Sequence, residues 1–150
     1  MMRALLALAA LALVGCASGA PLEPLRASLR VDPSEWTDGQ LAEIAGAVEA
    51  WQALAPGRVD LELVDDAPNV VRAELGPLSG HYYAERIQLE AGPRMRAVAM
   101  HEIGHALNLG HVDGHAVMAP SVDSVSDDFT ALDLDECARA GACIRGTLAP

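Results

Sequence analysis

A chain of 150 residues leaves room for one domain and little else. Ten basic residues, all of them Arg, stand against 21 acidic ones and give a net charge of −11. That balance excludes nucleic acid and anionic membrane surfaces as main partners.

Met1-Met2-Arg3 supplies a positive start, and Ala4 to Val14 is an apolar run too short to cross a bilayer as a mature helix. Residues 1–15 therefore read as a signal peptide. The run ends in Leu13-Val14-Gly15-Cys16, which resembles the bacterial lipobox; the alternative is an ordinary signal peptide with a chance cysteine. The resemblance implies a lipid on Cys16 and an exported protein held in the bacterial cell envelope, at the periplasmic face or the cell surface. No other long apolar run exists, so attachment to a membrane is expected through lipid alone.

Residues 16–27, with Pro21 and Pro24, read as a tether, and the domain is expected over 28–150. Ser28 to Val31 alternates like a strand. At Trp36-Thr37-Asp38-Gly39-Gln40-Leu41 several helix-start signals coincide: Thr37 as cap, Gln40 completing a capping box, and Trp36 spaced to staple Leu41. Leu41, Ile44, Val48, Trp51 and Ala55 follow at helical intervals, ending before Pro56-Gly57.

Val59, Leu61 and Leu63 alternate with acids as a half-buried strand, and Val71, Ala73 and Leu75 suggest a weaker one. Gly76 to Gly80 reads as a loop, with Tyr82-Tyr83 either lining a cleft or packed in that loop. Arg86 to Glu90 alternates again, and Pro93 is placed to open a second helix at its first position. Strand, helix, three strands and helix make an α/β (α+β) order with a small twisted mixed sheet.

The second helix carries His101-Glu102-Ile103-Gly104-His105. Four residues advance about 400° at 3.6 residues per turn, so the two imidazoles share one helix face, as a single zinc ion requires, with Glu102 beside them. His111 would fall on the opposite face of a continued helix. It reaches the same ion only if the helix stops, and Asn108-Leu109-Gly110 supplies the stop because Asn and Gly tolerate a left-handed backbone.

From His101 to His111, followed by Val117-Met118-Ala119-Pro120, the chain resembles the metzincin metalloproteases and most closely the matrixins. The resemblance implies a zincin-like fold with a backing helix, an active-site helix and a C-terminal helix. It implies one catalytic zinc on His101, His105 and His111, Glu102 as catalytic base, and Met118 in a turn beneath the metal. Ile87, Gln88 and Leu89 then correspond to the edge strand that holds substrate. Thr130 to Leu134 corresponds to the start of the C-terminal helix, with Asp133 bracing the methionine turn.

Two departures stand out. Asn108 replaces the usual Gly, and residues 76–88 lack the acidic, Gly-rich loops that bind structural zinc and calcium in larger relatives, which His81 alone cannot rebuild. No inhibitory cysteine segment precedes the domain, so latency is expected to be absent or left to a partner.

With Cys16 taken by lipid, Cys137 and Cys143 are expected to pair as a disulfide in an oxidising compartment, in preference to a metal site. The reading is a monomeric zinc endopeptidase acting on extended peptide or protein substrates. The alternative is a catalytically silent zinc-binding envelope lipoprotein that recognises peptides or partners.

Overall fold

The computed structural model describes residues 25–141, apart from residues 55 and 90 and segments 57–58, 64–68, 74–79 and 84–85. For residues 25–27, 59–63, 69–73, 81–83 and 122 only the backbone is described. The signal peptide expected over 1–15, Cys16 and Cys143 lie outside these residues.

Five strands form one sheet: β1 (Leu25–Val31), β2 (Val59–Leu63), β3 (Asn69–Ala73), β4 (Gly80–Tyr83) and β5 (Arg86–Leu89), in the order β2-β1-β3-β5-β4. The first four positions are parallel, and β4 runs antiparallel to β5 at the edge. This is the small mixed sheet expected from the alternating segments. Its first strand begins at Leu25, so the tether expected over 16–27 extends no further than residue 24.

The assignment of Ile87, Gln88 and Leu89 to the edge is corrected by the register. Strand β5 pairs with β3 on one side (Val71↔Ile87, Ala73↔Leu89) and with β4 on the other (Tyr82↔Ile87, Gly80↔Leu89). Both of its ladders are occupied, and Ile87 and Leu89 are core residues with 0% and 1% exposure. The edge belongs to β4, a strand that the loop reading of Gly80 and the two tyrosines missed.

Helix α1 (Asp38–Leu54) starts as its sequence dictates. The Thr37 amide donates to Gln40 Oε1 at 2.8 Å, and the Gln40 amide donates back to Thr37 Oγ1 at 3.4 Å. Trp36 is buried and Leu41 packs against the core. The face of Ile44, Ala47, Val48 and Trp51 is buried. Helix α2 (Met95–Ala106) begins two residues beyond Pro93, which stands in the turn leading into it. Nine of its residues, from Met95 through Gly104 except Arg96, are buried, because α1 packs on one side and β4 and β5 on another. Trp51 locks the two helices, its Nε1 donating to the Met100 carbonyl at 2.8 Å. Helix α3 (Ala131–Arg139) closes the fold. No helix among the described residues is long and apolar enough to cross a membrane.

Candidate active site

The site is assembled where α2 stops. Asn108 has φ +64°, and no other described non-glycine residue has positive φ. The Leu109 amide donates back to the Gly104 carbonyl at 2.9 Å, and the Asn108 amide to the His105 carbonyl at 2.8 Å. This pair of reversed bonds is a Schellman closure with Asn108 at the left-handed position. It turns the chain so that His111 returns to the face of α2 that carries His101 and His105.

The three imidazoles converge. His105 Nε2 lies 3.0 Å from His101 Nε2 and 3.1 Å from His111 Nε2. Two of the rings are oriented from behind: His101 Nδ1 donates to the Val117 carbonyl at 2.7 Å and His105 Nδ1 to the Leu109 carbonyl at 3.0 Å. With the proton on Nδ1, each Nε2 points a lone pair at the common centre. Lone pairs facing one another at such distances repel unless a cation lies between them. Around a tetrahedral zinc with bonds of about 2.0–2.1 Å, nitrogens stand about 3.3–3.4 Å apart, so a small relaxation suffices. Among the described residues no other group of His, Cys, Asp or Glu is gathered in this way. Asp113, the other acid near the third histidine, is exposed and outside the cluster. Burial disfavours the imidazolium of His101 and pushes its pKa down to about 4, against a smaller opposing effect of the Val117 carbonyl. The ring is held in the neutral form that ligates metal.

Beneath the histidines lies the methionine turn. Met118 is fully buried, and a Cβ placed on Gly104 would fall 2.3 Å from Met118 Sδ and 3.0 Å from Trp51 Cζ2. Glycine at 104 is thus what lets the methionine approach the helix between its two ligands. Asp133 braces the turn as expected: its carboxylate accepts from the amides of Val117 (3.1 Å) and Met118 (2.8 Å), and from the Thr130 amide (2.8 Å) and hydroxyl (2.9 Å). Because the Val117 carbonyl orients His101, Asp133 reaches the metal site through one intervening residue.

Glu102 is buried, yet it lines one cavity of about 500 Å³ together with Gly80, His101, His105, Asn108, Leu109, His111 and Pro120. A Cβ on Gly80 would lie 2.2 Å from Val98 Cγ1 and 2.9 Å from Glu102 Oε1. Only glycine allows the edge strand so close to the glutamate. The segment beyond Pro120 is fastened by a bridge between Ala116 and Val125 and by the Arg94 guanidinium on the Val125 carbonyl. Cys137 is buried and disulfide-bonded, on a helix that ends at Arg139; Cys143, its expected partner, lies outside the described residues.

The mixed sheet, the buried helix with its reversed end and the three convergent histidines together make a small α/β domain with a site suited to one zinc ion. The matrixin family profile matches residues 21–141, and the chain belongs to that family. A search of curated proteins gave no match. Among solved structures, the chain is similar to high choriolytic enzyme 1, a hatching enzyme zinc-protease of the medaka fish Oryzias latipes. The identity is 19% and the TM-score 0.43, over 59% of this chain and 46% of that one. The chain thus spans less than half the length of that relative.

Sequence reasoning missed Gly80, Gly104 and Glu136, whose amide partner Gly110 is described below. A weak signal existed for the first, since aromatic Tyr82-Tyr83 favours a strand. None existed for the others, whose contacts come from residues far along the chain.

Proposed function

We propose that the chain is an endopeptidase cleaving extended peptide or protein segments laid along β4, with Glu102 as proton carrier. The observation that carries this reading is the placement of Glu102 in one cavity with the three histidines and with Gly80 of the sheet edge. Strand β4 pairs with β5 alone among the described strands, so its outer backbone groups are available to an added strand. A substrate in that position passes over Glu102 where Gly80 leaves no side chain in the way.

His101, His105 and His111 would hold a zinc ion, which when bound would supply Lewis-acid chemistry for hydrolysis of the scissile bond. Glu102 takes a proton from the attacking water and delivers it to the departing amine, so no net proton is lost. Its burial keeps bulk water away and strengthens its interactions with the reacting groups. The Val117 and Leu109 carbonyls keep two imidazoles in the tautomer that ligates. In Glu102→Ala, zinc content measured by metal analysis should be retained while peptide hydrolysis falls at least about 10²-fold. Undiminished hydrolysis removes Glu102 from the mechanism, whereas a wild type that binds zinc and cleaves nothing in a peptide library favours a silent peptide-recognition role.

The lipobox resemblance at Leu13 to Cys16 supports a second proposal, that the enzyme is exported and lipid-anchored in the cell envelope. Cys16→Ser should move it out of the membrane fraction, and an unlipidated wild-type protein by mass spectrometry refutes the anchor.

A further inference from the structure

The three ligands differ in how they are held. His101 and His105 are each oriented by a ring hydrogen bond to a carbonyl. His111 is exposed, and among the described residues no acceptor meets its Nδ1. Its place must therefore come from its backbone. On the C-terminal side that backbone is fixed by the Val112 amide, which donates to the Met118 carbonyl at 2.9 Å. On the N-terminal side the Gly110 amide donates to Glu136 Oε1 at 2.8 Å, across 26 residues of sequence.

Glu136 is a buried carboxylate, at 7% exposure, on the inner face of α3. It sits between two other fixed points of that helix: Asp133, which braces the methionine turn, and the disulfide-bonded Cys137. Arg139 grips it from the solvent side, Nε on Oε2 at 2.6 Å and Nη2 on Oε1 at 2.5 Å. This fork, helped by the Gly110 amide, holds the carboxyl below the ordinary range for Glu. An ionised acceptor aimed at a backbone amide makes a stronger bond than a neutral one. We propose that Glu136, backed by Arg139, is the positioning residue for the third metal ligand. It does for His111 through the Gly110 amide what the Val117 and Leu109 carbonyls do for the other two rings. Helix α3 then holds the metal site twice, through Asp133 on the His101 side and through Glu136 on the His111 side.

The inference rests on zinc being held by the three histidines, and the experiment separates the two. Wild type, Glu136→Met, Glu136→Gln and Arg139→Ala are compared for zinc affinity by chelator competition, and for the visible spectrum of the cobalt(II)-substituted protein. Met fills the volume of Glu without offering an oxygen, while the Gln carboxamide can still accept from Gly110. Loss of an outer-shell partner typically weakens metal binding about 10–100-fold. Glu136→Met should fall in that range with an altered cobalt spectrum, Glu136→Gln should recover most of the affinity, and Arg139→Ala should lie between. Wild-type affinity and spectrum in both Glu136→Met and Arg139→Ala overturn the proposal. If Glu136→Met fails to fold, Arg139→Ala, altered at an exposed position, decides alone. A wild type that binds no zinc defeats the reading of the site itself.

Discussion

Gly104→Ala tests the packing of the methionine turn against the active-site helix. In an isolated helix this substitution stabilises by about 1 kcal/mol, because alanine is the better helix former. Here the added Cβ would lie 2.3 Å from Met118 Sδ, 3.0 Å from Met118 Cε and 3.0 Å from Trp51 Cζ2. The thioether could swing aside on a surface, but Met118 is fully buried. Trp51 cannot retreat without breaking its 2.8 Å bond to the Met100 carbonyl and its edge contact with Phe129 at 4.6 Å. Overpacking of this kind costs about 1–3 kcal/mol, and contacts this short belong at the upper end. The net expectation is a loss of about 1–2 kcal/mol, or roughly 4–8 °C in Tm by thermal denaturation. A double-mutant cycle isolates the cause. In a Met118→Ala background the closest obstruction is gone and only the 3.0 Å approach to Trp51 Cζ2 remains, so Gly104→Ala should cost markedly less than in the wild type. Equal destabilisation in both backgrounds refutes the argument that Met118 dictates the glycine.

At the helix end, Asn108→Gly should preserve or slightly raise stability and zinc affinity, since glycine adopts the observed φ of +64° at least as readily. Asn108→Val should lower both, by about 1–2 kcal/mol in stability, because a β-branched residue resists that conformation; equal stability of the two variants by urea denaturation counts against the turn account. For the zinc-free protein, His101 sets a pH dependence. Its pKa is lowered from 6.5 to about 4 in the fold, so between those values the unfolded chain binds a proton that the folded one does not. Stability should fall as pH drops from 6.5 towards 4, by on the order of 2–3 kcal/mol, and Glu136, also lowered, adds to the loss below its ordinary 4.5. Urea midpoints with chelator that stay level between pH 7 and 5 refute it.

The metal site was legible because its spacing is a local consequence of helix geometry. His101 and His105 share a face at any address in any α-helix, and the need for Asn108 in a left-handed conformation follows from asking how His111 could return. The capping box at Thr37 and Gln40, the buried stripe of α1 and the brace at Asp133 were readable for the same reason, each being a pattern of near neighbours or a family motif. Which strand forms the edge was not readable. The alternation of Arg86 to Leu89 marks a half-buried strand without stating how many neighbours it has, and only the order β2-β1-β3-β5-β4 moves the edge to Gly80–Tyr83. Equally hidden were Gly80 against Glu102, Gly104 against Met118 and Glu136 against Gly110. Each joins residues 14 or more apart in sequence, and nothing in the local pattern of either partner requires the other. Sequence settled which residues present nitrogen ligands and a carboxylate, because side-chain chemistry and helical period are local. Tertiary structure settled what holds them in place, because that depends on which distant segments the sheet order and α3 bring against the end of α2.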